Sequence, residues 1–322
     1  MSYWIVVGVT VVIYAILTVS LNFVVGYVGQ PNLAQSAFFG ICAYFAAVFS
    51  TRYHMSFWWT IPLAFVTAGA AGLALGAISL RLREDFLAIT TIGLNFVVVA
   101  VFQYAPFFGG AVGIYAIPLP TIGGHPFGNT AFLVVGLVML VFVVAVSKYL
   151  EHTWFGASLM AIRDDETAAS SIGVPVASYK VMAFVLSAAF AGMAGSLYAP
   201  FLSVVTPTSF GFTESVVILA MLIFGGLGTI RGAIIGALIL GSLPEAFRFI
   251  SNYRLLTFGV VLLLMLRFQP EGLLGEGSVL VKLTRRSVGV LRERRRSSGP
   301  SDPPGATPDP PGATPDPPGA AV

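Results

Sequence analysis

Charge is what this sequence has least of. Only 10% of its 322 residues are Asp, Glu, Lys or Arg, and 57% are hydrophobic. A soluble domain carries about 25% charged residues. One soluble core of this size could not hide so much apolar surface, so the missing apolar solvent is a bilayer. Cysteine is nearly absent as well. Cys42 stands alone in an apolar run, which excludes an internal disulfide and a cysteine metal cluster and reads as a small buried hydrophobe. His54, His125 and His152 are scattered, so no metal site is expected. No G-x-x-x-x-G-K-[ST] phosphate loop occurs, so the chain is not expected to hydrolyse ATP. No nucleophile stands beside a base in a catalytic context. The expectation is no catalytic residue, no metal and no cofactor. The N-terminus lacks a Lys/Arg n-region and an A-x-A cleavage site, so its first apolar run reads as a retained span.

What is present is a series of apolar runs, at about 3–25, 31–50, 57–80, 86–106, 129–149, 180–204, 213–230, 232–250 and 254–268. The fold expected is an all-α polytopic transmembrane bundle of about nine spans (8–10). Charge orients it. Cytoplasmic loops carry an excess of Lys and Arg. With nine spans and the N-terminus outside, fourteen of the seventeen basic residues fall on the cytoplasmic side, including Arg81, Arg83, Lys148, Arg163, Lys180, Arg231 and Arg267. The C-terminus is then cytoplasmic.

Two domains are expected. Residues 1–276 form the transmembrane domain, and 277–322 form a tail that is basic and then rich in Pro and Gly. Seven basic residues from Lys282 to Arg296 supply the whole excess charge. A juxtamembrane cluster of this kind favours anionic lipid headgroups over nucleic acid. Pro-Pro-Gly-Ala-Thr-Pro-Asp occurs at 303–309 and again at 310–316. The period is seven, not three, so this is not collagen; it cannot bury a core and reads as disordered. Residues 107–128, full of Gly and Pro, read as an outer loop.

Polar residues inside apolar runs are costly against lipid and usually face the bundle interior or a watery path. Here they are Asn22, Gln30, Asn32, Gln35, Asn95, Gln103 and Glu214. Pro31 sits among four of them. Irregular backbone at membrane depth is tolerated only where it lines a cavity or is buried in protein. The reading is that 26–36 unwinds and lines a translocation path, with Asn22, Gln30, Asn32, Gln35 and Asn95 as its candidates. The competing reading is interhelical hydrogen bonding with no ligand role. Small residues at four-residue spacing, Ala68-Gly72-Gly76 and Ala188-Gly192-Ser196, predict close helix packing.

The longest polar interruption is 149–180. Leu159, Ile162, Ala169 and Ile172 recur at helical spacing, with Arg163 to Glu166 on the other side, and Gly173 with Pro175 makes a helix stop. One amphipathic helix over 157–173, outside the membrane, is predicted. Its Ala168-Ala169 pair permits close approach of another protein.

Glu166-x-Ala168-Ala169-x-x-x-Gly173 resembles the EAA loop of ABC importer permeases. Leu21-Asn22-Phe-Val-Val-Gly26-Tyr27-Val-Gly29-Gln30, Leu80-Arg81-Leu82-Arg83, Ala161-Ile162-Arg163-Asp164-Asp165-Glu166, Gly225-Gly226-Leu227-Gly228 and Phe268-Gln269-Pro270-Glu271-Gly272 resemble, in order, five blocks of branched-chain amino acid permeases of the LivM type. The resemblance covers about 10–275. Gln35 stands where that family often has His, and Glu84-Asp85-Phe86 where it often has Gly-Asp-Tyr. The resemblance implies a bacterial inner-membrane permease subunit, not an enzyme. It implies a second permease of LivH type, two ATPase subunits, an extracytoplasmic substrate-binding protein and no nucleic acid. It also assigns Arg163, Asp164, Asp165, Glu166, Ala168, Ala169 and Gly173 to ATPase coupling. Urea or short amides are alternative cargo, and a stand-alone ion-coupled transporter is an alternative class.

Overall fold

The computed structural model describes residues 2–80, 82, 84–122, 125–246 and a few positions between 259 and 273. The expected span at 254–268, Arg81, Arg83 and the tail 277–322 lie in whole or in large part outside the described residues.

The described chain is mostly helical. Helix α1 (Ser2–Leu21) continues as a six-residue π-helical segment (Phe23–Val28). After a break come α2 (Gln35–Arg52), α3 (Phe57–Ser79), α4 (Glu84–Tyr104) and α5 (Asn129–Glu151). Two short helices, α6 (Trp154–Asp164) and α7 (Glu166–Ser171), precede α8 (Val176–Leu202), α9 (Phe212–Gly225) and α10 (Ile230–Ala246). Among the described residues six stretches are long and apolar enough to cross a membrane: Tyr3–Val28, Phe57–Ser79, Phe86–Tyr104, Asn129–Glu151, Val176–Leu202 and Pro207–Gly225. Ile230–Leu243 is apolar but shorter.

The all-α expectation needs one small correction. Four two-residue strands lie in the loops: β1 (Ile114–Tyr115) pairs antiparallel with β4 (Val204–Val205), and β2 (Thr121–Ile122) with β3 (His125–Pro126). The loop around 107–121 is therefore bound to the end of α8. Arg52 at the end of α2 also stacks over the Phe107 ring at 4.8 Å.

The centre of the bundle is α2 and α8, with α1 and α3 packed on them. Thirteen of the 18 residues of α2 are buried. The small-residue spacing does what it predicts. A Cβ at Gly192 of α8 would lie 2.6 Å from Ala68 Cβ and 2.9 Å from Cys42 Sγ. A Cβ at Gly72 of α3 would lie 2.6 Å from Ala188 Cβ. Only glycine lets these backbones come so close. Cys42 is fully buried, and its thiol donates to Ala64 O at 3.2 Å.

Candidate functional site

The first helix breaks where its sequence stops supporting α geometry. Gly26 and Tyr27 N–H both donate to Asn22 O, so the turn widens to i→i+5. Gly29 takes the left-handed conformation (φ 79°) that caps a helix, and Pro31 has no N–H to continue it. Residues 29–34 are not helical, and α2 starts at Gln35, four residues later than its apolar run suggested. π-Helical turns are rare and concentrate at functional sites.

The polar side chains at this break are deeply buried. Asn22, Gln30, Asn32, Gln35 and Asn95 are all at most 2% exposed. Gln35 is a hub. Its Nε2 donates to Ser20 Oγ at 2.7 Å, and its Oε1 accepts from Ser187 Oγ at 3.1 Å and from Asn32 Nδ2 at 3.4 Å. Asn32 Oδ1 accepts from Ala34 N, and Leu33 N donates to Thr91 Oγ1. Asn95 joins a second cluster one residue along. Its Nδ2 donates to Ser36 Oγ at 2.5 Å, and Ser36 Oγ lies 2.7 Å from Ser215 Oγ and donates to Phe210 and Gly211 carbonyls. Three of the five path candidates, Asn32, Gln35 and Asn95, thus lie in two adjacent buried polar clusters that draw on α1, α2, α4, α8 and α9, a polar belt that Asn22 does not join, since its Oδ1 accepts from Gly228 N instead. Gln30 stands apart. Its Oε1 has no hydrogen-bond partner, and the residue lines a cavity of about 570 Å³ with Ser79, Leu80, Ala177, Glu166 and Lys180. Gln103, by contrast, is exposed on α4.

The loop segment differs from the single helix expected over 157–173. Asp165 is extended (φ −159°, ψ 110°) and splits the segment into α6 and α7. Its Oδ1 accepts from Thr167 N at 2.8 Å and Ala168 N at 2.9 Å, capping α7. An Asp N-cap satisfies the first orphan N–H groups of a helix, so the carboxylate gains more by restarting the helix than by staying inside one. Leu159, Ile162 and Ala169 are buried as the apolar strip predicted, but Ile172 is 78% exposed, because the restart turns it off the strip. Asp164, Asp165, Glu166, Ala168 and Gly173 are exposed. Glu166 pairs with Lys180 of α8 at 2.5 Å. Gly173 has φ 87°, and a Cβ there would meet nothing within 4 Å. Arg163 is exposed with its acidic neighbours, as expected, and its Nη1 also donates to Gly26 O at 2.7 Å, reaching the first break.

The geometry therefore joins a buried, broken membrane helix to an exposed acidic loop. Comparison with known proteins decides the family. The family model described as branched-chain amino acid transport system / permease component matches residues 4–266. The chain is 36% identical over 287 residues to the high-affinity branched-chain amino acid transport system permease protein LivM of Escherichia coli, covering 81% of this chain and 68% of that one. The chain belongs to the branched-chain amino acid transport permease family.

Within that family it is of LivM type. A probable branched-chain amino acid transport permease protein LivM of Methanocaldococcus jannaschii is 24% identical over 327 residues, covering 86% of this chain and 94% of that one. Escherichia coli LivH is 26% identical over 287 residues, with 83% of this chain and 92% of that one covered. No solved structure matches the chain.

Sequence reading missed the serines and the threonine of the belt: Ser20, Ser36, Thr91, Ser187 and Ser215. A helical serine reads as a small packing residue. The one available signal was that Ser20 lies two residues before Asn22 and Ser36 directly after Gln35.

Proposed function

We propose that this permease is the LivM-like membrane half of an ATP-driven importer of branched-chain or related amino acids. It would work in the bacterial inner membrane with a LivH-type permease, two ATPase subunits and an extracytoplasmic binding protein. Family membership supports the transport class, and the names of the relatives support the cargo. The observation that carries the mechanism is the exposed loop segment 154–173, which touches the buried helix break through Arg163.

In this reading the chain has about nine spans, with the N-terminus outside and the C-terminus cytoplasmic. Residues 1–276 make the membrane domain, and 277–322 are a cytoplasmic appendage near anionic lipid. The chain is a transport subunit rather than an enzyme, and ATP is hydrolysed elsewhere. The exposed residues Asp164, Asp165, Glu166, Ala168 and Gly173 offer the ATPase a partner surface, while Arg163 and buried Ala169 seat that surface on the bundle. The open space beside Gly173 is where an outside partner would approach.

Substrate passes along the face built on the 22–36 break. Asn22, Gln30, Asn32, Gln35 and Asn95 supply neutral polar groups there, suited to a zwitterion that must enter and leave without being trapped. Broken helices supply such sites in other transporters, because their ends expose backbone dipoles. The test is leucine uptake by proteoliposomes holding the chain with its LivH-type partner, ATPases and binding protein. The reading expects uptake that needs ATP and survives collapse of the proton gradient. Uptake that follows the gradient and ignores ATP would replace it with an ion-coupled transporter. Competition by urea or acetamide, but not isoleucine, would replace the cargo.

A further inference from the structure

Two helix breaks meet at one side chain. The first is the widened turn at Phe23–Val28. The second is the Gly226-Leu227-Gly228 turn between α9 and α10, where Gly226 and Gly228 take φ of 119° and 78°. Between them lies the guanidinium of Arg163, from the last turn of α6.

The first break leaves Gly26 O without a backbone donor. In an α-helix it would take the N–H of Gln30, but that group and the N–H of Gly29 turn to Val24 O. In a π-helix it would take the N–H of residue 31, which is proline. Arg163 Nη1 fills the place at 2.7 Å from 137 residues away. Among the described residues the ion pair present is Lys180–Glu166, so Arg163 commits its charge to a carbonyl and not to a carboxylate. Asn22 closes the junction. Its Oδ1 accepts from Gly228 N at 2.9 Å and so bonds the first break to the second.

The seat is fitted. A Cβ at Gly228 would come 2.9 Å from Arg163 Nη1, and one at Gly29 would come 3.1 Å from Arg163 Cγ. A Cβ at Gly26 would overlap Asn22 Oδ1 and lie 2.7 Å from Gly228 N. A guanidinium is planar and presents its N–H donors in a fixed fork, which suits a narrow seat between two backbones.

We propose that Arg163 is the positioning residue that ties the loop helices to both membrane breaks, so that a displacement of α6 moves 22–30 and 226–228 together. The proposal deepens the coupling reading and rests on it, since it needs the ATPase to act on the loop.

The experiment uses the full importer, with both permeases, both ATPase subunits and the binding protein, in proteoliposomes with leucine as cargo. Arg163→Ala, Arg163→Lys, Gly228→Ala and the double variant Arg163→Ala/Gly228→Ala are compared. Three readouts are taken: ATPase subunit retained on the permease, ATP hydrolysed without leucine, and leucine taken up per ATP. The expected result for Arg163→Ala is full retention of ATPase, hydrolysis undiminished, and uptake per ATP down at least about tenfold. Arg163→Lys keeps a cation and a donor and falls between. Gly228→Ala pushes on the same guanidinium and also strains a left-handed backbone position, so the double variant should lose less than the sum of the two single losses, as residues sharing one interaction are not additive. A merely structural role would lower assembly, hydrolysis and uptake together. That outcome, additive single effects, or uptake per ATP within about twofold of the parent for Arg163→Ala would overturn the proposal. Should Arg163→Ala not assemble, Arg163→Lys and Gly228→Ala carry the same comparison. Glu166→Lys separates the two claims: if it too leaves uptake per ATP unchanged, the loop's coupling role has failed and not only the tie.

Discussion

Helices α2 and α5 sit in the same bundle and are built on opposite rules. Helix α5 buries five of its 23 residues and shows Val134, Leu137, Val138, Val141 and Phe142 to its surroundings. Helix α2 buries thirteen of 18 and enters through Asn32, Gln35 and Ser36. Lipid selects the first for hydrophobicity, because each unpaired polar group in hydrocarbon costs several kcal/mol. Protein neighbours relieve the second of that demand, so polar groups and irregular backbone collect there. Hydropathy therefore finds the wall of this molecule and understates its centre.

The comparison can be broken most severely in the central packing. Gly192→Leu would drive a side chain into Ala68 and Cys42. Overpacking a filled core costs about 1–3 kcal/mol and occasionally more. The expected outcome is loss of monodisperse protein from detergent extracts, whereas Val138→Leu on α5 should extract normally.

The next largest effect separates the loop from the membrane. Glu166→Lys reverses the charge facing Lys180, and Gly173→Trp projects into open space at a left-handed position. Both variants should reach the membrane at normal levels. ATP-driven leucine uptake should fall by at least about tenfold, a barrier change of about 1.4 kcal/mol. Normal uptake by both would sink the assignment of 154–173 to coupling.

A subtler change probes the belt. Asn32→Ala and Gln35→Ala remove hydrogen bonds that average about 0.6 kcal/mol in membrane proteins, so folding should survive. Transport kinetics should nevertheless change in KM or maximal rate. If both variants carry leucine with parental kinetics, the polar belt is interhelical glue and not a path. The smallest effect belongs to the wall. Val138→Ala on α5, a position 64% exposed, should shift thermal stability by no more than about 0.5 kcal/mol and leave uptake alone.

Much of this was legible in the residues. Helices α3, α5 and α8 announce themselves as long apolar runs, and the meeting of α3 with α8 is written in their small-residue spacing. The polar cluster around Pro31 marked the break. Its details were not legible, because no residue type encodes the slip from i→i+4 to i→i+5; that register follows from Pro31, Gly29 and the neighbours that accept the widened turn. The loop misled for a different reason. Arg163 to Glu166 are all exposed, as one solvated face should be, but that reading hid the cap Asp165 makes and the orphan carbonyl Arg163 satisfies.

The central claim is that the energy for movement in this chain enters through its 154–173 loop from another polypeptide. Its most direct test is a chemical cross-link between a single cysteine at exposed Ser171 and the ATPase subunit, in a Cys42→Ala background with leucine uptake intact. The account predicts a cross-link that forms in the assembled importer and whose yield changes between ATP-bound and ATP-free states. No cross-link in an actively transporting importer, or a yield indifferent to ATP, would contradict it.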